Sequence, residues 1–248
     1  MSAKPLSRIY FPAEIPAHGR AELTPAQAHH ATRVLRLGTG DALTLFDGQG
    51  GEFEARIARI SKSGVSVDIG ERRAVDRESP FAVTLAQAIS SGERMDYTVQ
   101  KAVELGASLI QPLETERAVV RLDPTRASRR SAHWESIAIA ACEQCGRNRV
   151  PPIAPITALR DWLGAMDERP GLRILLSPRG KLALGALPAP GDGAILLAGP
   201  EGGLTGQEER DAERSGFTAV RLGPRVLRTE TAALAALAAM QALWGDFR

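Results

Sequence analysis

Only two cysteines, Cys142 and Cys145, occur in 248 residues. Their C-x-x-C spacing hints at redox or metal chemistry, but no second cysteine pair accompanies them, the nearest histidine is His133, and the pair falls in a helix-periodic segment rather than after a strand. They read as reduced, partly buried thiols, and no metal site is expected. No apolar run reaches the roughly 20 residues of a membrane span, and no signal-peptide core follows the N-terminus, so a soluble cytoplasmic protein with no membrane partner is expected. Charge of one sign is lacking too. The 31 Lys plus Arg stand against 29 Asp plus Glu, and the resulting +2 makes no electrostatic case for nucleic acid, so any RNA surface must come from local clustering. Also missing is a G-x-G-x-x-G loop after the first strand of an α/β unit: Ser90-Ser91-Gly92 is a poor match, and Gly48-Gln49-Gly50-Gly51 lies in a hairpin signal. An ordinary Rossmann arrangement is therefore not supported.

The glycines gather in the last third of the chain instead. The apolar run Ala194 to Ala198 ends in Gly199-Pro200-Glu201-Gly202-Gly203, and Thr205 with Glu208 has the spacing of a capping box for the helix that follows. Glycine lets backbone approach a bound molecule, proline stiffens the turn, and a helix start offers unpaired amides. The plain alternative is a strand-to-helix connection. Leu222-Gly223-Pro224-Arg225-Val226-Leu227-Arg228-Thr229-Glu230-Thr231 repeats the design: a strand, a Gly-Pro turn, then polar residues opening an Ala-rich helix. Two such turns can line one pocket.

The chain divides by pattern. Residues 1–72 read as short strands around one helix, with strands at Ile9–Phe11, Ala42–Phe46, Phe53–Ile60 and Val65–Ile69 and a hairpin at Asp47-Gly48. The helix opens at Thr24-Pro25 and is expected to run to Gly38 or Gly40. A small β-barrel would bury such strands. Residues 73–80 lose the apolar pattern and read as a linker. From 81 to 248, strands alternate with helices. Ser90 and Glu93 fit a capping box, one long helix carries Trp134, Ile137, Ala138, Ala141 and Cys145, and Leu172–Leu176, Ala194–Ala198 and Phe217–Leu222 read as strands. A mainly parallel sheet flanked by helices follows. The final helix, Thr231 to Trp244, is apolar nearly all round and is expected to be buried on several sides, either as a central core helix or against a second subunit.

The GPEGG loop with Thr205 and Glu208, the LGPRVLRTETA run, Gln100 to Gly106, Glu116 to Val120, and Glu143 to Arg147 with Pro151-Pro152 closely resemble the SPOUT-class 16S ribosomal RNA uridine N3-methyltransferases from about residue 80 to the end. Arg8 to Pro12 and His30 through Arg36 fit the same family less distinctively. The resemblance implies an α/β SPOUT methyltransferase domain with a C-terminal trefoil knot, preceded by a PUA-like RNA-binding β-barrel, and a homodimer built through the last helix. It implies S-adenosylmethionine as cofactor and 16S ribosomal RNA of the small subunit as partner. The cofactor pocket would be built by Leu176 and Ser177, by Gly199, Pro200, Glu201, Gly202 and Gly203, and by Leu222, Gly223, Val226, Leu227 and Thr229.

Arg228 is the expected catalytic residue, its guanidinium stabilising charge on uracil oxygens; a helix-start salt bridge with Glu230 is the alternative. Glu201 reads as a base, a cofactor-amine contact or a cap for backbone amides. Arg147 reads as a phosphate contact or a surface arginine at a helix end. Arg8, Arg33 and Arg36, with Tyr10, Phe11, His29 and His30 nearby, are RNA-binding candidates. Two further functions fit the same residues: a SPOUT methyltransferase for another RNA, or a non-catalytic RNA-binding assembly factor.

Overall fold

The structure, a computed structural model, describes residues 7–118, 123–166, 171–191 and 193–247. Val119 and Val120 of the Glu116 run lie outside the described residues. The chain forms two compact units, one of Met1–Glu78 with Cys142–Val150, the other of Ser79–Ala141 with Pro151–Arg248.

The first unit holds β1 (Ser7–Tyr10), β2 (Gly19–Glu22), α1 (Pro25–His29), β3 (Ala42–Phe46), β4 (Glu52–Ser61) and β5 (Gly64–Arg73). They make a five-stranded sheet in the order β1-β3-β4-β5-β2, with β1 parallel to β3 and the other neighbours antiparallel. Alternate residues turn inward, so Ile9, Leu43, Leu45, Ile57 and Val67 share one core with Ala31. Thr24 and Gln27 complete a reciprocal capping box around Pro25, which opens α1 as expected. The helix then differs from expectation. It widens into a π turn over His30–Val34 and stops, with Thr32 Oγ1 bonding back to the Ala28 carbonyl at 2.7 Å and Arg36 in the left-handed region at φ 56°. Strand β2 escapes the sequence reading because Gly-Arg-Ala-Glu has no apolar alternation; none of its residues is buried.

The second unit contains β6 (Val83–Ala88), α2 (Gly92–Glu104), β7 (Ala107–Glu114), α3 (Pro124–Cys145), β8 (Thr157–Ala158), α4 (Leu159–Gly164), β9 (Leu172–Leu176), β10 (Leu182–Ala183), β11 (Ala194–Ala198), α5 (Gly206–Arg214), β12 (Thr218–Arg221) and α6 (Thr229–Trp244). The last residues of α3 cluster with the first unit. Seven strands form one sheet in the order β10-β12-β9-β11-β6-β7-β8, and every pair is parallel. This is the expected α/β architecture. Val83, Leu85, Leu196, Leu197, Ile174 and Leu175 are fully buried, as central parallel strands require.

Helix α6 packs on α2 and on strands β6 and β11, and buries Ala233, Ala236, Leu237 and Met240. Gln241 fixes its far end, donating to the Leu105 carbonyl at 3.1 Å and accepting from Ser79 Oγ at 2.7 Å. Burial on several sides is not what this chain alone shows: Ala235, Ala242 and Leu243 are open, Leu243 by 43%. Among the described residues, no helix is long and apolar enough to cross a membrane, and no cluster of His, Cys, Asp or Glu has the makings of a metal site. Cys142 is buried, and that burial pushes its thiol up to about 12, so it stays an inert thiol at neutral pH.

Candidate active site

Strands β12, β9 and β11 are neighbours, and because all run the same way their C-terminal ends release three loops at one edge of the sheet. That edge is where open parallel sheets bind ligands. The loops after Leu176, Ala198 and Arg221 enclose a cavity of about 580 Å³, inside the roughly 300–1,000 Å³ usual for small-molecule sites. The structure brings Leu176, Ser177, Gly199, Pro200, Glu201, Gly202, Gly203, Leu222, Val226, Leu227, Arg228 and Thr229 together around this cavity. Gly223 is not among its lining residues; it serves the turn, with φ 72°.

Local chemistry holds the loops in place. Thr205 and Glu208 form the expected capping box, and the Glu208 carboxylate also accepts from the Glu116 amide at 2.8 Å, tying the start of α5 to the loop after β7. At Gly199 a Cβ would stand 3.1 Å from the Leu204 amide nitrogen, so a side chain there would press on the turn's own backbone and push it outward. At Gly202 a Cβ would meet the Cβ of Arg117 at 3.3 Å. Its lack of a side chain thus makes room for Arg117, whose Nη1 donates to the Gly202 carbonyl at 3.1 Å. Thr229 Oγ1 donates to the Gly199 carbonyl at 2.6 Å and accepts from the fully buried Gln87 Nε2 at 3.0 Å. Through this pair the end of β6 and the start of α6 are both pinned to the glycine loop.

Three carboxylates line the cavity, in different states. Glu209 is occupied at both oxygens, accepting from Ser177 Oγ at 3.0 Å and pairing with Arg179 at 2.7 Å. Glu201 Oε1 accepts from the Ser91 amide at 2.9 Å, the Ser91 hydroxyl at 2.7 Å and Arg94 at 3.2 Å. Burial pushes the Glu201 carboxyl up, but the Ser91 and Arg94 bonds outweigh it and hold the carboxyl below its ordinary range. Glu201 therefore caps the start of α2, where the sequence suggested a Ser90–Glu93 capping box. That box does not form: Ser91 is the N-cap residue, its side chain makes no cap bond, and Ser90 is fully buried. The second oxygen of Glu201 and Oε2 of the third carboxylate, Glu230, are both buried without a hydrogen-bond partner.

Arg228 stands at the cavity edge as the N-cap residue of α6, exposed and without a side-chain cap bond. The salt bridge with Glu230 considered as its alternative role is not formed. Sequence reasoning missed Gln87, Ser91, Arg94 and Arg117. Arg117 sits inside the Glu116 run that carried the resemblance, but nothing local says that its guanidinium reaches Gly202.

The four RNA-binding candidates separate. Arg8 and Arg147 are corrected by the structure, because both guanidiniums are turned inward. Arg8 bonds Glu52 at 2.6 Å and Asn148 at 2.5 Å and lies 4.9 Å over the Phe46 ring. Arg147, 5% exposed, is bound by both oxygens of Glu78. Neither presents a cation to solvent. Arg33 and Arg36 are exposed. Arg33 lines a second cavity, of about 960 Å³, with His29, Arg59 and Lys62; Arg36 does not line it.

Two family models match this chain: an RNA methyltransferase domain over residues 77–241 and an RNA methyltransferase PUA domain over residues 23–70. The ribosomal RNA small subunit methyltransferase E of Buchnera aphidicola subsp. Acyrthosiphon pisum is 33% identical over 99% of this chain and 96% of its own length. The chain belongs to the ribosomal RNA small subunit methyltransferase E family. The Bacillus subtilis member of this family is 34% identical, with 88% of each chain covered. A crystal structure of the family member from Neisseria gonorrhoeae, bound to S-adenosyl methionine, matches with a TM-score of 0.91 and 44% identity over 98% of this chain and 100% of that one. A Legionella pneumophila protein solved with bound S-adenosylmethionine matches with a TM-score of 0.94 and 41% identity over 98% of this chain and 100% of that one. The family's α/β methyltransferase fold with a PUA domain is thus the fold of this chain.

Proposed function

We propose that the protein transfers the methyl group of S-adenosylmethionine to N3 of a uridine in 16S ribosomal RNA. The observation that carries this reading is the cavity itself, three loops at the C-terminal edge of a parallel sheet with glycine backbone on one side and apolar walls on the other. Its makeup fits the donor. Leu176, Leu222 and Leu227 suit an adenine face, the backbone from Gly199 to Gly203 suits close approach to a nucleoside, and carboxylates and guanidiniums stand ready for the polar end. When bound, S-adenosylmethionine supplies an electrophilic methyl group. The chain's own part is to orient, to exclude water and to manage charge. Arg228 directs a planar, permanently charged fork at the cavity edge, suited to negative charge building on the uracil oxygens as N3 loses its proton. Glu201 acts in this account as the cap that fixes the glycine loop against α2, and Thr229 with Gln87 fixes the loop's other side.

The wider organisation belongs to the same proposal. Residues 1–72 serve as an RNA-binding PUA-like barrel with Arg33 and Arg36 on its RNA face, residues 73–80 as a linker, and residues 81–248 as the SPOUT domain whose glycine loops thread a trefoil knot. The relatives named for small-subunit ribosomal RNA support 16S RNA as the partner and the bacterial cytoplasm as the place of action. The open face of α6 supports a homodimer.

Arg228→Lys tests the catalytic half. The variant should bind donor as the wild type does while methyl transfer at saturating donor slows by about a hundredfold, the loss expected for one oriented donor group worth roughly 3 kcal/mol. Single-turnover rates at rising RNA concentration make the check. Full recovery at high RNA would make Arg228 a binding residue.

A further inference from the structure

The cavity carries more positive charge than a methyl donor can use. Six arginines and three glutamates line it, an excess of three cations. S-adenosylmethionine is itself a cation, because its ammonium and carboxylate cancel and its sulfonium remains, so a surplus of guanidiniums does not match it. Its single carboxylate cannot occupy an excess of three. Half of the arginines are engaged within the chain: Arg94 pairs with Glu201, Arg179 pairs with Glu209, and Arg117 is spent on the Gly202 carbonyl. Arg228 serves the uracil oxygens in the proposed reaction. Arg221 and Arg225 remain. Both are exposed, and among the described residues neither guanidinium has a hydrogen-bond or ion-pair partner. Arg221 ends β12 and Arg225 follows the turn at Gly223, so one loop carries both along the cavity, ahead of Arg228. A row of free guanidiniums on one rim calls for an anion with more than one charge, and the RNA backbone is the polyanion that the reaction brings to this rim.

Resting on the proposed methylation of 16S RNA, we infer that Arg221 and Arg225 are the RNA-backbone seat of the cavity, holding the phosphates on either side of the target uridine. A guanidinium binds a phosphate through two parallel N–H donors, which fixes direction as well as distance. Contacts of this kind carry no sequence information; they set the register of the strand. Here they bring the target base to the Arg228 side of the rim, and both residues act as positioning groups. The competing role for either arginine is to hold the donor's carboxylate, and this would appear as lost donor affinity.

Arg221→Ala and Arg225→Ala are compared with wild type in single-turnover methylation of 16S RNA at saturating donor, with RNA and salt varied and donor binding measured by calorimetry. Each variant should lose about tenfold in rate at limiting RNA, recover at high RNA, and keep its donor affinity. Each should also flatten the slope of log RNA affinity against log salt by about 0.7–0.9, the share of one phosphate contact. Lysine at either position keeps the charge and should restore that slope. A neutral methylphosphonate at one of the two phosphates flanking the target uridine should cost the wild type what losing the matching arginine costs, and cost that variant nothing more; a merely structural role would leave the two losses additive. Weaker donor binding, a loss that more RNA does not restore, an unchanged salt slope, or additive methylphosphonate losses would each overturn the inference while wild-type 3-methyluridine formation upholds the reaction. A wild type that methylates no uridine of 16S RNA overturns the reading on which the inference rests.

Discussion

Glu52 shows how one residue's environment sets its chemistry. Burial pushes its carboxyl up, yet hydrogen bonds and charge from Arg77 and Arg8 win and bring it from 4.5 to about 2. Because the folded value lies below the unfolded one, the stability it contributes is full above about pH 4.5 and is lost as pH falls toward 2. Glu52→Gln should destabilise the N-terminal unit by about 3 kcal/mol at neutral pH, since Arg8 is left buried with its charge uncompensated. Thermal melts at pH 7 and pH 3 check this: the variant's penalty should shrink at the lower pH, and a penalty independent of pH would assign the loss to packing instead. The same network explains why Arg8 misleads as a sequence signal. An arginine near aromatics reads as an RNA contact, and only the chain's return through Asn148 turns it inward.

Elements were more legible than contacts. Strands β3, β4, β9 and β11 and the caps at Thr24 and Thr205 follow from short apolar strand patterns and capping chemistry, which are local. Glu201 capping α2 across 110 residues, Gln87 pinning Thr229 across 142, and the π turn ending α1 were illegible, because their partners are set by tertiary packing or by helix geometry without a residue signature. The glycine loop makes the point testable. At Gly202 a valine would press on Arg117 rather than on the cavity directly, forcing the loop to shift. Overpacking of this kind costs about 1–3 kcal/mol. Gly202→Val should lower donor affinity by about tenfold, equal to about 1.4 kcal/mol, by displacing the loop. Calorimetric titration beside thermal melting checks it: donor affinity should suffer more than thermal stability, and unchanged affinity would move the donor site away from this loop.

For the whole molecule, the apolar final helix poses the open question. Its inner face is covered by α2 and the sheet strands β6 and β11, while Ala235, Ala242 and Leu243, like Phe247, are exposed. A second copy of the chain covers such a face economically, so light scattering at micromolar concentration should give twice the 26.5 kDa chain mass. The single-chain mass at that concentration would contradict the homodimer.

The reaction itself is tested most directly by the modified nucleosides of 16S ribosomal RNA, measured by mass spectrometry in cells with and without this protein. The account predicts that one 3-methyluridine is lost from 16S RNA in its absence and returns when purified protein and S-adenosylmethionine are added to that RNA or to small subunits. An unchanged 3-methyluridine content, with another methylated nucleoside lost instead, would contradict it.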